Sequence, residues 1–254
     1  MCPGFYSRGS LYSGAGQSVS NPKPDNGEIK PNFYGRRSGR ALRDVQREHL
    51  KNDLAGLTPG LVSREDNPNR TLLDLNVRFG SRSVWLEIGF GSGEHLVHQA
   101  TANPDVAIIG CEPFINGVAS LLGKIQDADI GNVAIYPDDG RDLFEVLPKQ
   151  SVDRAFLLYP DPWPKTRHHR RRFVTSGYLT SLARVMKTGA VFRLATDIPD
   201  YVRQAKAEIP KCGFHLCNEG VGEGSGWADW VTTRYERKAL REGRVPHYLT
   251  YERG

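Results

Sequence analysis

The chain has 254 residues, 39% of them hydrophobic, with a formal net charge of +5 at pH 7 and a pI near 9.0. No apolar run approaches the ~18 residues that span a bilayer, which excludes a helical membrane protein and leaves room for one α/β domain plus a tail. Four scattered cysteines (Cys2, Cys111, Cys212, Cys217) make no C-x-x-C pair and have no histidine at ligand spacing, so neither a metal site nor a disulfide frame is indicated. Reduced thiols in a cytoplasmic protein are expected, and the N-terminus carries no basic segment followed by an apolar core that would mark a secretory signal.

Residues 1–33 are rich in Gly, Ser, Pro and Asn and are expected to form a disordered leader, because they have too little branched apolar surface to offset the entropy of ordering. Residues 34–254 are expected to form a single domain. It opens on a basic arm, Gly35-Arg36-Arg37-Ser38-Gly39-Arg40-Ala41-Leu42-Arg43, that runs into a helical pattern at Leu42, Val45, His49 and Leu50. That arm reads equally as a solvated basic face or as one that touches phosphate. Between Thr58 and Arg82 the periodicity is weak.

The first strong strand, Ser83 to Ile88, ends in Gly89-Phe90-Gly91-Ser92-Gly93 and is followed by a helix face at Leu96, Val97 and Ala100. Strand, glycine turn and helix open a nucleotide-binding βαβ unit, since glycines let backbone amides approach a ligand. The third glycine of a dinucleotide fingerprint would fall at position 94, where the chain has Glu94, so a dehydrogenase is disfavoured. The pattern E-x-G-x-G-x-G from Glu87 suits a compact adenosine derivative bearing an amino acid. A second strand, Val106 to Cys111, ends in Glu112, near the spacing expected of an acid that binds ribose hydroxyls. After a helix (Ile115, Val118, Leu121, Leu122, Ile125), a third strand at 132–136 leads to Asp138 and Asp139, placed to accept from an adenine amino group.

The fourth strand, Val152 to Leu158, delivers Asp161 into the loop Tyr159-Pro160-Asp161-Pro162-Trp163-Pro164-Lys165. Three alternate prolines fix φ and remove backbone donors, so this loop is expected to hold Asp161 and Trp163 in few conformations. Trp163 reads either as a stacking platform for a base or as a packed side chain. The loop runs into Thr166-Arg167-His168-His169-Arg170-Arg171-Arg172. A second basic group follows at Arg234, Arg237, Lys238, Arg241 and Arg244. Leu179, Leu182, Val185 and Met186 mark a buried helix stripe, Ala190 to Thr196 a fifth strand ending in Asp197, Tyr201 to Ile209 another helix, and His247 to Glu252 a last strand. Alternating strands and helices predict a doubly wound, mostly parallel Rossmann-like sheet with ligands at the carboxyl ends of its strands, and hairpin connections among the last strands.

Taken together, Glu87-Ile88-Gly89-Phe90-Gly91-x-Gly93, Tyr-Pro-Asp-Pro-Trp-x-Lys at 159–165, Ala195-Thr196-Asp197 and Thr233-Arg234-Tyr235-Glu236 resemble the bacterial tRNA (guanine-N7-)-methyltransferase family over about residues 34–253. Pro164 departs from the His that many relatives carry. The resemblance implies S-adenosylmethionine as methyl donor, no metal, and N7 of a guanine in the tRNA variable loop as acceptor. By motif position it implies that Gly89, Gly91, Gly93, Glu87, Glu112, Asp139 and Asp161 line the donor site, and that Lys165, Asp197, Thr233, Arg234, Tyr235 and Glu236 meet the tRNA. Asp161 is expected to orient and stabilise charge rather than accept a proton, and Asp197 or Glu236 to accept from the guanine N1 and N2 hydrogens. Two rival readings are an RNA methyltransferase acting on an exocyclic amine, which the D-P-P-Y-like turn at 161–164 distantly resembles, and a non-catalytic RNA-binding relative. Neither an oligomeric state nor a role for the leader follows from the pattern.

Overall fold

The computed structural model describes residues 33–254; the leader expected over residues 1–33 lies outside the described residues apart from Phe33. Seven strands form one sheet in the order β3-β2-β1-β4-β5-β7-β6. They are β1 (Ser83–Ile88), β2 (Val106–Cys111), β3 (Val133–Tyr136), β4 (Val152–Leu158), β5 (Met186–Thr196), β6 (Phe214–Val221) and β7 (His247–Arg253). The first five are parallel, and β7 runs antiparallel between β5 and β6. Eight α-helices accompany them among the described residues: α1 (Asp44–Asn52), α2 (Leu75–Phe79), α3 (Glu94–Ala102), α4 (Ile115–Ala128), α5 (Gly140–Val146), α6 (Ser176–Val185), α7 (Pro199–Glu208) and α8 (Arg234–Arg241).

The central strand shows why the sheet is covered on both faces. Val84, Leu86 and Ile88 point into a core shared with α5, α6 and α7, whereas Trp85 between them enters a second core with α3 and α4. Side chains that alternate along a strand and are apolar on both sides need helices above and below. The order of strands reverses at β1, whose neighbours are β2 and β4, and the register sets Ile88 beside both Cys111 and Leu157. Three strand ends therefore open side by side at the crevice where a doubly wound sheet receives ligand.

Several boundaries differ from the periodicity. Met186 starts β5 instead of closing α6, because it pairs with Val152 at the sheet's margin. The helix expected from Tyr201 begins at Pro199, whose ring suits the first turn. Strand β6 has no alternating apolar signal because nearly all of it is exposed at the sheet edge. In α1 no residue is buried and Val45 is 60% exposed, so the expected apolar stripe is only partly used.

Candidate active site

The turn after β1 has a backbone that side-chain-bearing residues rarely adopt, with φ of 72° at Gly89, 59° at Gly91 and 78° at Gly93. It closes through Gly89 N–H to the Cys111 carbonyl (2.8 Å) and Gly93 N–H to the Phe90 carbonyl (2.9 Å). The Glu112 carboxylate at the end of β2 accepts from Gly91 N–H (2.8 Å) and Phe114 N–H (2.9 Å), tying the turn to the start of α4. Burial pushes the Glu112 carboxyl above its usual range; those two amides oppose the shift and the nearby Asp161 charge adds to it. Glu87, 3% exposed, takes His95 Nδ1 on Oε2 at 2.7 Å, which places the imidazole hydrogen on Nδ1. The other ring nitrogen of His95 is buried without a partner, against Phe156 and Trp230.

Asp139 sits farther along the sheet, at the end of β3. It caps α5 by accepting from Arg141 N–H (3.0 Å) and is also bound by the Arg141 guanidinium. Its neighbour Asp138 is held by Arg37 of the basic arm at 2.8 Å. The arm is tied further by Ile115 N–H to the Arg37 carbonyl (2.9 Å) and by Asn116, which bonds Gly39 N–H and the Arg40 carbonyl.

The loop after β4 departs from the extended backbone that residues preceding proline favour, at Tyr159 before Pro160 and at Trp163 before Pro164. Tyr159 (φ 49°) and Trp163 (φ 39°) occupy left-handed backbone, which costs a non-glycine residue about 1–3 kcal/mol and persists only where its surroundings enforce it. Tyr159 N–H bonds the Ala195 carbonyl at 2.7 Å. Trp163 is half-buried, edge-on to Tyr34 and His168, with the Arg171 guanidinium 5.0 Å from its ring. The Asp161 carboxylate reaches the surface, yet desolvation by surrounding protein raises its carboxyl above the usual range, with Arg36 of the arm opposing the shift.

Residues expected to meet tRNA divide in the structure. Lys165 and Arg234 are exposed. Thr233 caps α8 through its hydroxyl, which accepts from Glu236 N–H at 3.2 Å. Tyr235 lies against the glycine turn: a methyl group on Gly91 would come within 3.1 Å of its ring. Asp197, 9% exposed, is bound by Arg244 on Oδ2, and Oδ1 makes no hydrogen bond among the described residues. Glu236 departs from its expected place, since it is 2% exposed and both its oxygens are taken, by Trp230 Nε1 (2.7 Å) and the Tyr248 hydroxyl. In the two basic groups that follow Lys165 and Thr233, Arg172 is buried, and Arg244 is engaged by Asp197 and Glu242. His95 and Gly117 had no signal in the sequence, since His95 meets Glu87 eight residues away and Trp230 far along the chain, and Gly117 abuts the Gly91 carbonyl only once α4 packs on the turn; Arg37 was legible only as one cation of the basic arm.

The geometry therefore joins Glu87, the glycine turn, Glu112, Asp161 and the start of α8 around one crevice. A family described as "Putative methyltransferase" matches residues 81–249. The chain is 65% identical over 87% of its length, and 94% of the relative's, to a tRNA (guanine-N(7)-)-methyltransferase of Jannaschia sp. (strain CCS1). It is 62% identical over 87% of its length, and 91% of the relative's, to one from Cereibacter sphaeroides. The solved "Structure of an Antibiotic Related Methyltransferase" shares the fold, with a TM-score of 0.54 at 20% identity over 77% of this chain and 96% of that one. With those relatives and this glycine turn, the chain belongs to the tRNA (guanine-N(7)-)-methyltransferase family.

Proposed function

We propose that the protein transfers the methyl group of S-adenosylmethionine to N7 of a guanine in tRNA. The observation that carries this reading is the crevice itself, where two buried acids, a turn of three left-handed glycines and Asp161 on a strained loop meet at the reversal of strand order. The residues present fit the donor. A methyl group on Gly89 would meet nothing within 4 Å, so the turn is open above that position, and the desolvated acids suit a cationic ligand with ribose hydroxyls. Bound there, S-adenosylmethionine supplies an electrophilic methyl on a sulfonium.

Guanine N7 has a lone pair and no proton, so the chain need supply no general base. Its work is alignment, worth about 7–11 kcal/mol in well-oriented systems, and electrostatics. Positive charge grows on the guanine ring during transfer, and Asp161 at ~4 Å would favour it by at most about 4 kcal/mol at an effective dielectric near 20. Asp197 is the acid that reads the guanine edge, through Oδ1, since Glu236 is buried against Trp230 and Tyr248. Lys165, Arg167, Arg170, Arg234, Arg237 and Arg241, all exposed, contact phosphates.

The test is incubation of the purified protein with unmodified tRNA and labelled donor, followed by nucleoside analysis. N7-methylguanosine, with strand scission on reduction and aniline treatment, is the expected product. A stable methylated amine would favour the exocyclic-amine reading, and no product despite donor binding would favour a non-catalytic relative.

A further inference from the structure

Arg172 heads the largest fully buried side chains of the described residues, and none of its side chain reaches solvent. A guanidinium out of water is costly unless its donors and charge are matched. Here they are. Nε donates to the Pro162 carbonyl (2.8 Å), Nη1 to Gln204 Oε1 (2.7 Å), and Nη2 to Asp200 Oδ2 (2.8 Å) and, more loosely, to the Trp163 carbonyl (3.4 Å). The Tyr201 ring lies 5.0 Å from the guanidinium carbon.

The partners fall into two sets. Pro162 and Trp163 directly follow Asp161, in a stretch whose three prolines offer no backbone N–H, whereas Asp200, Tyr201 and Gln204 belong to α7. Asp200 is itself braced by Arg203 (2.8 Å), with His169 Nε2 3.1 Å away, and Gln204 Nε2 donates to the Val174 carbonyl (2.6 Å). The planar fork of one arginine thus clamps the Asp161 loop to a rigid helix, a task that a lysine's point charge cannot perform. Arg167 and Arg170, only a few residues earlier, are exposed and free to meet phosphate.

We propose that Arg172 is a positioning residue for methyl transfer: it touches no substrate, and by holding the carbonyls of Pro162 and Trp163 it fixes where Asp161 stands over the crevice. This rests on the N7-methylation reading above. Arg172→Lys keeps the charge opposite Asp200 and loses the fork. In single-turnover methylation at saturating donor and tRNA its rate should fall about 100-fold, the scale of a 1 Å misplacement. Dissociation constants for donor and tRNA should stay within about twofold, and the salt dependence of tRNA binding should not change, because a buried cation releases no counterions. Acrylamide quenching of Trp163, isolated by subtracting the signal of Trp163→Phe, should increase. Gln204→Met, which removes one partner and leaves the ion pair, should lower the rate about tenfold in the same direction, consistent with one hydrogen bond to a charged group; it carries the test if Arg172→Lys does not fold. Weaker tRNA binding with a flatter salt dependence and an intact saturated rate would make Arg172 a phosphate contact and overturn the proposal. Unchanged quenching and rate in both variants would overturn it as well. A wild-type product other than N7-methylguanosine would refute the reading of the reaction instead, and the quenching measurement separates the two failures.

Discussion

Gly117→Ala sets two effects of opposite sign against each other at the donor turn. Alanine is favoured over glycine in a helix by up to about 1 kcal/mol, so propensity alone predicts a more stable α4, although Gly117 lies in its first turn. A methyl group at this position, however, would lie 2.1 Å from the Gly91 carbonyl oxygen and 3.4 Å from the Glu112 side chain. Reaching ordinary van der Waals contact at 3.4 Å requires about 1.3 Å of movement, and overpacking of a rigid site typically costs about 1–3 kcal/mol. The obstacle is backbone, which cannot rotate away as a side chain could. The turn must therefore shift from α4, straining the 2.8 Å bond between Gly91 N–H and Glu112. Net destabilisation of up to about 2 kcal/mol is expected once the propensity gain is subtracted. Donor affinity should fall more steeply, by about 100-fold if the displacement reaches the ligand. Thermal unfolding and calorimetric titration with S-adenosylmethionine would measure both. A variant that gains stability and binds donor normally would show that the close approach of α4 to the turn is not what shapes the site.

Asp161→Ala should lower single-turnover methylation by up to about a thousandfold, the equivalent of the ~4 kcal/mol assigned to its charge, while donor affinity changes far less; unchanged turnover would remove Asp161 from the mechanism. The same carboxylate should cost stability. Its folded-state pKa is raised, so the folded protein holds the proton more tightly than the unfolded chain, and stability declines as pH rises from the ordinary carboxylate range through the raised value. Asp161→Asn should accordingly raise Tm at neutral pH, and that advantage should vanish in acid below the ordinary carboxylate range; an equal Tm at pH 7 would contradict it. Affinity for tRNA should fall steeply with salt, and each of Arg170→Ala and Arg237→Ala should reduce the log–log slope by about 0.7–0.9. Asp197→Asn should weaken discrimination of guanine from adenine in competition assays, whereas a change confined to Glu236 should show itself in melting temperature, as its carboxylate joins Trp230 and Tyr248 inside the protein.

The amino-acid sequence by itself determined the class of fold and the strand ends that matter. Runs such as Val106–Cys111 and the Ala155 to Leu158 end of β4 are apolar on both faces, so they demanded a sheet covered on both sides, and the glycine turn and the proline-bound Asp161 are local features whose chemistry is written in adjacent residues. Partnership was decided only by the tertiary structure. Arg172 reads as one more cation in a basic run until folding places it beneath Pro162 and against Asp200, and Glu236 reads as free until Trp230 and Tyr248 close over it. Charge is a property of a residue type, but whether it faces a phosphate or a buried carboxylate depends on contacts made between elements, here six to 28 residues apart, and such contacts leave no periodic trace along the chain.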